Sequence, residues 1–209
     1  MKKQHIPTII FFGSLWGIIE ATLGYILHFL PVYIAGTILF PVVGYILYKA
    51  YEHTKSRVSL LAIGAIAASI KAVDFFMPFG SPFKIINPMI SIIMESIMVL
   101  TIIHLLQKDD IKSKISGFVI ASIGWRLLYV AYNFGQFLVN GYVSTYLESF
   151  YNAFEYTVIF GLISAGIALA IHFLGLYIVK HIKGANSIRF NPIISFASLV
   201  IAIILTILM

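Results

Sequence analysis

Apolar residues occupy this chain in long blocks separated by short polar connectors. The blocks at 8–29, 32–48, 58–77, 85–106, 115–139, 150–179 and 192–208 are close to or above the ~20 residues that an α-helix needs to cross a bilayer. The pattern therefore predicts seven membrane-spanning helices. The second block is short and holds Pro41 between Gly36 and Gly44, which predicts a kinked or partly re-entrant segment. The first block follows Met1, Lys2 and Lys3 as a signal peptide would. It carries Glu20 and lacks a small-residue cleavage site, so it reads as an uncleaved span. No repeat, low-complexity tract or linker breaks the pattern. The expectation is an all-α polytopic bundle forming one domain over 1–209, with a six-helix core over 1–180 and an extra helix within 190–209.

Composition agrees with that reading and narrows it. Of 209 residues, 60% are hydrophobic and 11% charged, far from the balance of a soluble domain. A soluble nuclease, kinase or nucleotide-binding enzyme is excluded. The net charge of +6 reports topology rather than nucleic acid, because the basic residues fall between apolar blocks. Lys2 and Lys3 precede the first span; Lys49, Lys55 and Arg57 follow the second, Lys108, Lys112 and Lys114 the fourth, and Lys180, Lys183 and Arg189 the sixth. Only Lys84 lies on the other side. By the positive-inside rule the N-terminus is cytoplasmic. Cysteine is absent, which removes thiolate catalysis, disulfides and Cys-ligated metals.

Ionisable side chains inside a span are costly and mark functional sites by default. Glu20, Lys71, Asp74, Glu95, Arg126 and Glu155 are of this kind, accompanied by Asn87, Ser91, Tyr129, Asn133, Gln136 and Asn152. Helical spacing collects them into faces. Asn87, Ser91 and Glu95 recur at i, i+4, i+8; Arg126, Tyr129, Asn133 and Gln136 at i, i+3, i+7, i+10; Glu148, Asn152 and Glu155 form a third stripe, and Lys71 and Asp74 an i, i+3 pair. In the predicted topology Glu20, Glu95 and Arg126 lie near mid-membrane and the others in the outer halves. A channel needs polar groups along its whole path, so the distribution favours a cavity open to the outside. These twelve residues are the candidate substrate-binding set.

Bland readings stand beside these. Lys71 and Asp74 either neutralise each other or join the site. Arg126 either pairs with Glu20 or Glu95 to fix packing or faces a ligand. Tyr25, Tyr33, Trp125, Tyr142 and Tyr146 read as interfacial belt or packing, although Trp125, Tyr129 and Tyr132 are also suited to stacking on a ring or cation. His28 and His104 have no second His at ligand spacing, so neither metal nor cofactor is expected. The connectors at 30–31, 78–84 and 140–149 are the candidate gates, the last being the longest.

Small residues form a stripe on the first helix at Gly13, Gly17, Ala21 and Gly24, which serves either internal packing or docking of another membrane protein. The string GSLWGIIEA containing Gly13, Gly17 and Ala21, the chain length and the outer polar pocket resemble the substrate-binding S component of an energy-coupling factor transporter. That family usually has six spans and alanines in the motif, whereas here there is a seventh block and two glycines. The resemblance implies a prokaryotic plasma-membrane protein that binds a water-soluble, vitamin-like nutrient. Gly13, Gly17 and Ala21 would dock a transmembrane coupling subunit, and cytoplasmic ATPases would drive release; the chain itself has no Gly-rich phosphate loop. Four carboxylates against two bases favour an amine-bearing ligand over an anion. The competing expectation is an intramembrane or membrane-surface enzyme acting on a lipid-linked substrate through Glu20, Glu95 and Glu155, although no HExxH motif is present.

Overall fold

Each apolar block becomes a helix, because a backbone in lipid must satisfy its own hydrogen bonds. The computed structural model describes residues 3–27, 29–77, 81–181 and 190–209. Among these, every regular element is helical. Six helices are long and apolar enough to span a membrane: α1 (Ile6–Leu27), α2 (Val32–Thr54), α3 (Arg57–Phe76), α4 (Phe83–Leu106), α5 (Ile111–Asn140) and α6 (Phe150–His181). The shorter apolar α7 covers Pro192–Leu208. His28, part of the 78–84 connector and the basic residues Lys2, Lys183 and Arg189 lie outside the described residues.

Side chains mark several helix ends. Asp110 accepts from the backbone N–H of Ser113 at 2.7 Å to start α5, and Ser149 accepts from that of Asn152 at 3.0 Å to start α6. Asn191 accepts from Ile193 at 3.0 Å ahead of Pro192 at the first turn of α7, and Gly141, at φ 72°, closes α5 in the left-handed conformation that glycine tolerates.

The second helix departs from expectation. It runs as one unbroken helix through Pro41 to Thr54, beyond the end of its apolar block. Its last turns leave the apolar block and are held by polar pairing, with Lys49 Nζ 2.7 Å from Glu52 Oε2. Two helices contain π segments, Glu20–Gly24 in α1 and Glu155–Ile159 in α6, and α3 ends in a 3-10 turn over Ala72–Phe76.

The first six helices form a ring in the order α1, α3, α4, α5, α6, α2, with α2 also touching α3 and α4 across the middle. Away from the connectors that carry the polar residues, the centre is filled by Phe40, Leu47, Leu60, Ile63, Ile102, Ile103 and Leu106. The seventh helix lies outside this ring against α1 and the end of α3.

That arrangement gives Gly13 and Gly17, two of the three expected docking residues, a packing role. A methyl group on Gly13 would fall 2.8 Å from Ile66 Cβ, and one on Gly17 would fall 2.7 Å from Ile70 Cδ1. The two glycines are therefore the seat of α3 and not a free face. Glycine suits both positions because β-branched side chains of α3 come too close for a Cβ. From Glu20 onward the π segment winds less per residue, and the stripe divides: Ala21 is buried beside a cavity, while Gly24 faces Leu39 of α2.

Candidate functional site

Two cavities open at the same end of the bundle. The larger, of about 500 Å³, is enclosed by α1, α2, α4, α5, α6 and the connector between α5 and α6. Its acidic side is built by α1 and α4. Asn87, Ser91 and Glu95 project into it from one face of α4, and Glu20 reaches it from α1. Glu95 is only 4% exposed. Its Oε1 accepts from Ser91 Oγ at 3.1 Å, whereas Oε2 is buried with no hydrogen-bond partner. Glu20 Oε1 accepts from Trp16 Nε1 at 3.1 Å.

The opposite side is aromatic. Trp125 and Tyr129 of α5, Tyr156 of α6 and Tyr146 of the connector line it. Their ring centroids lie 6.3 Å apart for Trp125 and Tyr129, 6.2 Å for Trp125 and Tyr156, 5.6 Å for Tyr129 and Tyr146, and 4.2 Å for Tyr146 and Tyr156. Tyr33 backs the last two at 5.7 and 5.6 Å. Burial and the neighbouring phenols push the Tyr146 hydroxyl above its ordinary value, so it stays neutral. Trp125 Nε1 and Ser144 Oγ, also on this wall, are buried without partners. Buried polar groups are normally satisfied, so three such atoms on one cavity mark places where a ligand or water hydrogen-bonds.

Arg126 stands behind this wall, fully buried. Its guanidinium donates to the Ser122 carbonyl at 2.9 Å and to Thr37 Oγ1 at 3.1 Å, and lies 4.6 Å from the Trp125 ring and 5.5 Å from the Tyr156 ring. It forms no ion pair with Glu95 and does not line the cavity. Aromatic faces and neutral acceptors hold the cation instead.

The remaining candidates separate by role. Asn133 lines the cavity and donates to the Tyr129 carbonyl at 2.8 Å. Gln136 donates to Asn87 Oδ1 at 3.0 Å and to the Tyr132 hydroxyl, which itself donates to Asn87 at 3.1 Å; this triad holds Asn87 in place. Asn152 donates to the Thr145 carbonyl at 3.1 Å, tying the start of α6 to the connector. Glu155 lines neither cavity, and Glu148 precedes α6, so their stripe is not one helical face.

The smaller cavity, about 410 Å³, lies between α1, α3, α4 and the end of α7, and is lined by Glu20, Lys71, Asp74, Lys84, Thr206 and Met209 among others. Lys71 Nζ and Asp74 Oδ2 form an ion pair at 2.6 Å. Glu20 and Lys84 line both cavities.

Trp125, Tyr142 and Tyr146, expected in belt or packing positions, are wall residues of the larger cavity. Tyr156, Ser144, Thr37 and Lys84 were not singled out by spacing. For Tyr156 the only sequence signal is its adjacency to Glu155. No group of three or more His, Asp or Glu side chains is arranged to hold a metal among the described residues. Comparison with family models, curated proteins and solved structures gives no match to this chain.

Proposed function

We propose that this protein is a membrane-embedded binding subunit that captures a small water-soluble molecule in the larger cavity, in the manner of an energy-coupling factor S component. The observation that carries this reading is the set of buried, unpartnered polar atoms on that cavity: Glu95 Oε2, Trp125 Nε1 and Ser144 Oγ. Its size falls in the range of small-molecule sites, and it meets the polar connector between α5 and α6. In this reading the protein resides in a prokaryotic plasma membrane, and the cavity faces outward. A transmembrane coupling subunit with cytoplasmic ATPases supplies the energy for release. With Gly13 and Gly17 covered by α3, that subunit meets a surface other than the small-residue stripe.

The test is native mass spectrometry of the purified protein, followed by extraction and identification of small molecules. A stoichiometric water-soluble metabolite, lost on Glu95→Ala, is the expected result. Turnover of a lipid-linked substrate by the protein alone would replace this reading with the enzymatic one.

A further inference from the structure

We infer that the larger cavity selects a molecule with a cationic nitrogen at one end and a neutral planar ring bearing a hydrogen-bond acceptor at the other. This rests on the capture reading above and assigns the orientation of the ligand. The inference follows from how charge is divided across the cavity. On the α1 and α4 side stand Glu20 and Glu95. Glu95 commits only Oε1, to Ser91, and leaves Oε2 buried and open to a donor. An ammonium or amidinium group supplies the charged proton donor that Oε2 lacks.

The opposite wall does not suit a cation. The rings of Trp125 and Tyr156 already carry the Arg126 guanidinium at 4.6 and 5.5 Å. That positive charge, sealed from the cavity by full burial, repels a second cation there and attracts electron-rich groups. The same wall offers two unused donors, Trp125 Nε1 and Ser144 Oγ. A flat ring between Trp125, Tyr129, Tyr146 and Tyr156, with a carbonyl, hydroxyl or ring nitrogen toward Trp125 and Ser144, satisfies them. An anionic end group finds no salt bridge on the aromatic wall, because Arg126 is fully buried and does not line the cavity. Lys84 on the α4 side is the one other cation of the cavity wall among the described residues, and it lies one turn before Asn87 on the acidic side.

The experiment uses the full-length protein in detergent. A metabolite extract is passed over it and the retained molecules identified by mass spectrometry. In parallel, calorimetry compares ring amines with their alcohol counterparts, tyramine against tyrosol and pyridoxamine against pyridoxine. Retained molecules are expected to carry a basic nitrogen, and whichever pair binds is expected to favour the amine by about ten- to hundred-fold. Glu95→Gln, close to isosteric, removes that preference, and Trp125→Phe weakens amine and alcohol alike. The wild-type preference is a readout that does not depend on either variant folding. Retention of anionic or nitrogen-free molecules, or an amine preference that survives Glu95→Gln, overturns the inference and leaves capture standing. If the wild type retains nothing and binds no member of either pair, capture and inference fall together.

Discussion

The two cavities share Glu20 and Lys84 but meet their charges differently. In the smaller one Lys71 and Asp74 close on each other at 2.6 Å, one helical turn apart, on a wall completed by α7. In the larger one the carboxylate of Glu95, the indole N–H of Trp125 and the hydroxyl of Ser144 each keep an unused position. Lys71, Asp74 and Glu95 are equally conspicuous in the sequence as charges inside apolar helices. An intramembrane polar group points to a ligand when its hydrogen-bonding capacity is left over after folding, and to architecture when a neighbour has consumed it.

The strongest way to break this contrast is to exchange the roles of the two carboxylates. Glu95→Ala is expected to lower ligand affinity by about 100-fold or more, since it deletes a buried charged partner, whereas Asp74→Asn changes affinity by less than about threefold. Calorimetry on the two variants decides it, and equal losses would mean that the cavities act as one site.

A second expectation concerns the scaffold under the smaller cavity. Gly13→Ala forces a methyl group to 2.8 Å from Ile66 Cβ and should lower thermal stability by about 1–3 kcal/mol. Gly166→Ala, with nothing within 4 Å, should stay within about 0.5 kcal/mol. Ligand affinity in either folded variant should match the wild type if the α1–α3 seat is purely architectural.

Alkaline titration sharpens the larger cavity further. The Tyr146 phenol is raised by burial and by neighbouring tyrosines, so its contribution is present below the ordinary tyrosine value of about 10 and is lost as the pH rises above it. Tyr146→Phe should flatten that loss in a pH series of melting temperatures. The smallest effect belongs to Asp110, remote from both cavities. Hydrogen bonds from the Ser113 backbone and side chain hold its carboxyl below the usual aspartate value. Its contribution is therefore present above that value and fades as the pH falls through the lowered one. Asp110→Asn should remove the fade without touching ligand binding.

How much of this was legible in the sequence depends on local winding. The face of Asn87, Ser91 and Glu95 was readable because α4 keeps an α-helical phase across it despite Pro88. Tyr156 and the division of the Gly13 to Gly24 stripe were not, because the π segments at Glu20–Gly24 and Glu155–Ile159 shift the phase on which spacing arguments rest. The extension of α2 to Thr54 was hidden by its polar last turns, where Lys49 and Glu52 pair. Ser144 and Tyr146 lie on a connector, which carries no period at all. Arg126 was found as a charge, but its partners, Thr37 and the rings of Trp125 and Tyr156, come from two other helices and an adjacent position. No spacing rule relates them.

The connector between α5 and α6 has a consequence in time as well as in space. Tyr146 is wedged against Tyr156, Tyr129 and Tyr33, so any movement of the connector carries with it the aromatic wall that faces Glu95.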